Sequence, residues 1–85
     1  MANLDKVLKR VLSGRSDNNS PFGDLLNLLV RLGFSERVKG HHHIFTKPGV
    51  REILSLQPRP DGKAKPYQVK QVRDALQDYG LKQLP

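Results

Sequence analysis

The segment Arg37-Val38-Lys39-Gly40-His41-His42-His43-Ile44-Phe45-Thr46-Lys47 sets all three histidines of the chain between cations. Histidine is the side chain that gives and takes protons near neutral pH. Gly40 reads as a turn and residues 42–47 as a strand. Successive strand side chains point to opposite faces. If Phe45 points into the core, His43 shares its side and His42 faces outward. If Ile44 points inward instead, His43 is the outward ring. An outward imidazole can act as general base or acid on an RNA 2′-hydroxyl. Lys39 and Lys47 can hold the scissile phosphate and stabilise the charge that develops on it. That chemistry needs no metal, and no cofactor is expected. Two other readings fit the same residues. One is a metal site, but no cysteine or acid stands beside the rings and strand neighbours diverge. The other is a set of polar residues with no chemical role.

The charge distribution favours a polyanion. The net charge is +7, and residues 31–73, with ten Lys/Arg against three acids, account for all of it. Excess cations therefore lie on the same stretch as the histidines, which suits a phosphate backbone. The absence of cysteine rules out disulfides and thiolate metal sites. The sequence has no phosphate-cradling glycine loop, nucleophile elbow or carboxylate dyad. No stretch is apolar enough for a secretion signal or a membrane span, so a cytoplasmic protein without membrane contact is expected.

Eighty-five residues make one small core. Residues 3–12 carry Leu4, Val7, Leu8, Val11 and Leu12 at helical spacing, with Asn3 as cap and Gly14 as stop. Residues 13–20 are polar and patternless and read as a linker or mobile loop. Ser20 and Pro21 can then open a second helix as cap and first residue. Its leucines make it the central core helix, ended by Gly33, with Phe34 folding back. Residues 34–39, 42–47 and 50–57 read as three strands, with turns at Gly40 and Pro48-Gly49. A loop rich in proline and lysine spans 58–66. A last helix follows, with Val69, Val72, Ala75, Leu76 and Tyr79 on one stripe and Gly80 as its stop. Tyr67 at its start either stacks on a base or closes the core edge. The expectation is an α+β fold whose small antiparallel sheet is covered by helices on one face. Residues 1–20 form an N-terminal helix and linker, and 21–85 form the main unit.

The string Lys39-Gly40-x-His42-His43-Ile44-Phe45 resembles the glycine–serine–histidine–histidine–x–aromatic signature of the HicA toxin family. Leu28-Leu29-x-x-Leu32-Gly33-Phe34 before it, and Val69-Lys70-Gln71-Val72-Arg73 with Tyr79-Gly80-Leu81 after it, are similar to the family's helices. The likeness spans about residues 22 to 81. It implies a double-stranded-RNA-binding-like α-β-β-β-α fold with a three-stranded antiparallel sheet, here preceded by an extra helix. It implies cleavage of mRNA with His42 as the catalytic residue, His43 being the second choice, and neutralisation by a HicB-type antitoxin. Arg37 stands where the family often has a basic residue. Two places depart from the pattern. His41 replaces the family's serine, and Gln57-Pro58-Arg59-Pro60 lacks the usual histidine. The expected RNA-binding set is Arg37, Lys39, Gly40, His41, Lys47, Arg59, Lys63 and Lys65. The alternatives are a non-catalytic RNA-binding module and a basic protein-interaction domain.

Overall fold

In a computed structural model, which describes residues 3–85, α1 spans Leu4–Ser13. Met1 and Ala2, the start of the expected unit 1–20, lie outside the described residues. The Asn3 side-chain oxygen accepts from the N–H of Asp5 at 3.0 Å and of Lys6 at 3.4 Å, which supplies partners for donors the first turn cannot pair. Gly14 ends the helix in the left-handed conformation, φ 72°. Val7, Leu8 and Val11 are buried in the common core.

The stretch from Ser13 to Ser20, expected as a patternless linker, is folded. Asp17–Asn19 form a 3-10 turn. Asp17 accepts two hydrogen bonds from the Arg73 guanidinium at 2.9 and 3.1 Å, and Arg73 Nη1 also donates to the Val11 carbonyl at 3.1 Å. The hydrogen bond to Asp17 raises the Arg73 pKa further above its already high ordinary value. One side chain thus joins the end of α1, the turn and the last helix. Sequence pattern misses it because the partners lie 56 residues apart.

The second helix, α2, spans Phe22–Arg31. Ser20 does not cap it. Pro21 is the N-cap residue, and the Ser20 hydroxyl is buried without a protein partner. The backbone explains the difference. Ala64 N–H donates to the Ser20 carbonyl at 2.8 Å, and Phe22 N–H donates to the Gly62 carbonyl at 3.1 Å. The 58–65 loop therefore takes up the backbone groups around the helix start. Leu25, Leu28 and Leu29 are fully buried, whereas Val30 is exposed. Phe34 N–H returns to the Leu29 carbonyl at 3.0 Å across Gly33, φ 99°, and Phe34 is buried as expected.

Strands β1 (Ser35–Lys39), β2 (His42–Lys47) and β3 (Val50–Leu56) form an antiparallel meander in that order. Gly40 (φ 61°) and His41 join the first two in a two-residue turn, with the positive φ at the first position that a type II′ hairpin requires. Phe45 pairs with Leu54 and His43 with Leu56, and the side chains of Phe45, Leu54 and Leu56 face the helices. The last helix, α3, spans Pro66–Asp78, with Val69, Val72, Ala75 and Leu76 buried. The helices share one core with Phe45, Leu54 and Leu56 on one face of the sheet, α1 packing on α2 and α3, and the other face is open, which is the α-β-β-β-α arrangement with an added first helix.

The outer edge of β3 is held at its two ends by side chains from α3 and its C-cap. The Gln68 side-chain amide accepts from Gln57 N–H at 3.0 Å and donates to the Ser55 carbonyl at 3.2 Å. It pairs with the strand end as a neighbouring peptide unit would. Further along, Arg51 N–H donates to the Tyr79 hydroxyl at 3.2 Å. Gln68 of α3 and Tyr79 at its C-cap thus engage backbone groups of an edge that would otherwise invite pairing with another chain.

Candidate active site

Pleat parity divides the histidines. With Phe45 at 0 % exposure, His43 lies on the helix side and His42 on the open face. His42 pairs across the hairpin with Lys39, and Ile44 pairs with Arg37, so Arg37 and Lys39 lie on the same face as His42. The His42 ring is exposed, and its Nδ1 lies 3.5 Å from Ser55 Oγ on β3. Ser55 pairs with Ile44, which makes it the diagonal neighbour of His42 on that face.

His43 is held differently. Its Nδ1 lies 2.8 Å from Glu36 Oε2, and its ring meets Phe22 edge-on at 5.2 Å between centroids. The edge-on aromatic contact and the contact with the Glu36 carboxylate fix this ring to β1 and α2. The two neighbouring rings point to opposite faces, so they cannot converge on one metal ion.

The expected cations separate into groups. Arg37 and Lys39 flank His42 on β1, beside the Gly40-His41 turn. Continuing the β2–β3 register by one step sets Gln57 opposite His42, and Lys65 Nζ reaches Gln57 Oε1 at 3.4 Å. His42 thus has Lys39 as its pairing partner on the β1 side and Gln57, which Lys65 contacts, on the β3 side. Arg59 is tied down: it donates to Asp61 at 2.9 and 3.2 Å and to the Asn18 carbonyl at 3.1 Å. The hydrogen bond from Lys63 N–H, with Arg59 beside it, holds the Asp61 carboxyl below its ordinary value. Lys63 is half-buried in the same loop, where it bridges to Pro21. Lys47 points away from His42: its parity is that of Phe45, and its ammonium lies over Gly33, where an added Cβ would meet it at 2.7 Å. Tyr67 is 59 % exposed at the start of α3, so it does not close the core edge.

Sequence reasoning did not find Ser55, Gln57, Gln68 or the Glu36 contact. Each depends on strand register or helix docking, and the only sequence signal was the polar position in the otherwise apolar run Ile53-Leu54-Ser55-Leu56. A hollow of about 260 Å³ lies elsewhere, between β3 and α3. Glu52, Asp74 and Asp78 in its lining would repel a phosphate backbone. Among the described residues no helix is long and apolar enough to cross a membrane.

A three-stranded sheet backed by helices, with an imidazole and flanking cations on its bare face, defines a class of small basic α+β proteins. Within that class the family is shown by sequence: a family model described as the HicA toxin of bacterial toxin-antitoxin matches residues 22–84. The chain belongs to this family of toxins. No curated protein and no solved structure matches it.

Proposed function

We propose that the chain is a toxin-type endoribonuclease that cleaves mRNA by acid–base chemistry at His42. The observation that carries this reading is the exposed His42 ring on the open sheet face, with Lys39 across the hairpin and His43 held away by Glu36 and Phe22. His42 takes the proton of a ribose 2′-hydroxyl as that oxygen attacks the adjacent phosphorus. The bond to the 5′-oxygen breaks, the leaving oxygen takes up a proton from the imidazolium or water, and a 2′,3′-cyclic phosphate remains. Lys39 and Lys65 stabilise the charge on the phosphoryl oxygens. Arg37 and the Gly40-His41 turn, which admits a close backbone approach, hold the strand. Lys63 and Arg59 lie further along the loop as phosphate contacts, Arg59 once Asp61 releases it. Lys47 serves only RNA that wraps past the end of α2.

Family membership supports a protein antitoxin of HicB type as the inhibitor, seated over the open face. The decisive experiment is inducible expression of the intact protein beside His42→Ala, reading growth and the integrity of cellular transcripts. The intact protein should arrest growth and fragment mRNA, and the variant should do neither. Equal arrest by both would end the catalytic reading. RNA binding with steep salt dependence but no cleavage would favour the binding module instead.

A further inference from the structure

We infer that Ser55 is the positioning residue of His42: its hydroxyl accepts a hydrogen bond from Nδ1–H and thereby presents an unprotonated Nε2 to the RNA. The inference builds on the proposed function for its purpose, but the pairing itself can be measured without any cleavage.

Four observations converge on it. Ser55 Oγ lies 3.5 Å from His42 Nδ1, at the outer limit of hydrogen-bond distance in the free protein. Catalytic hydrogen bonds are often long before substrate binds and tighten in the complex. The pair is diagonal across β2 and β3, a separation that a side chain as long as imidazole spans. Ser55 is also the hydroxyl that the hairpin register sets beside the ring on β3, since Leu54 and Leu56 point to the core. Finally, the serine stands on a fixed backbone. Gln68, itself buried, holds the Ser55 carbonyl and the Gln57 N–H, so α3 determines where the hydroxyl sits.

The chemistry gives this contact a purpose. A neutral imidazole carries one proton, and the hydrogen bond made by one nitrogen decides which nitrogen keeps it. A general base facing the ribose needs the proton on the far side of the ring. In the Ser-His-Asp template a carboxylate does this for histidine. Among the described residues no carboxylate pairs with His42, and Glu36 is engaged with His43. A hydroxyl that accepts from Nδ1 performs the same orientation with a weaker, uncharged partner. The weaker partner suits a site where an added carboxylate would repel RNA.

The test is a long-range proton–nitrogen NMR spectrum of the His42 ring, recorded at alkaline pH where imidazoles are neutral, for the intact protein, Ser55→Ala and Ser55→Thr. The intact protein should show the Nδ1–H form, the alanine variant should move to the Nε2–H form, and threonine should restore the original pattern. Cleavage by the alanine variant should fall on the order of ten- to a hundredfold in kcat with KM unchanged, and threonine should recover it. An Nε2–H ring in the intact protein, or a spectrum indifferent to Ser55→Ala, would overturn the inference. If the tautomer responds as expected but the intact protein cuts no RNA, the pairing stands and the nuclease reading falls.

Discussion

His42 and His43 are adjacent in the chain but differ in what holds them, and substitutions should separate them. His43 contributes to stability through the Phe22 contact and the Glu36 pair. His43→Ala should lower the unfolding free energy by about 1–2 kcal/mol, mostly from the lost aromatic contact and its burial. Glu36→Gln should cost less than about 1 kcal/mol, because the contact is partly exposed to water. Chemical denaturation measures both, and a Glu36 variant that costs more than the His43 variant would contradict this ranking. Part of this was legible in the sequence. Alternation left two readings, and the burial of Phe45 selects the one with His42 on the open face and His43 on the helix side. The partners of the rings were not legible. Glu36 and Ser55 become neighbours only once the register of both hairpins is known, and neither turn announces the bulge-like shift between Phe45 and Lys47.

At the level of elements, the end of β3 held by Gln68 offers the clearest measurement. Gln68→Leu keeps the side-chain bulk but leaves the Ser55 carbonyl and Gln57 N–H without their partner. Unpaired buried polar groups cost about 1–3 kcal/mol. The variant should lose stability in that range, and amide exchange at Gln57 should accelerate while the β1–β2 pairing stays protected. Unchanged exchange at Gln57 would show that water replaces the amide without penalty. The elements themselves follow from local punctuation: Asn3, Gly14, Gly33, Gly40, Pro48-Gly49, Pro66 and Gly80 mark starts and stops that the structure reproduces. Local reasoning fails at Ser20 and in the stretch from Ser13. There, the deciding partners are Gly62, Ala64 and Arg73, all distant in sequence.

For the whole molecule, α1 matters out of proportion to its length. The family match begins at residue 22 and so excludes it. Yet Val7, Leu8 and Val11 are buried in the one core, and Arg73 and Asp17 fasten the end of α1 to α3. Each of the three apolar side chains contributes roughly 1.5–3 kcal/mol by burial, while small domains have only about 5–15 kcal/mol in total. A fragment of residues 21–85 should therefore show no cooperative thermal transition by circular dichroism. A sharp transition near that of the full chain would mean that the first helix is an accessory.

The Arg73 clasp also bears on when the protein matures during translation. His42 leaves the ribosome well before α3, but Asp17 cannot be clasped, nor the end of β3 secured, until that helix is made. A nascent chain halted in the proline- and lysine-rich loop carries the imidazole without its supporting frame. Synthesis of α3, rather than emergence of the histidine, sets the moment at which the Arg73–Asp17 clasp and the Gln68 contacts to the end of β3 can form.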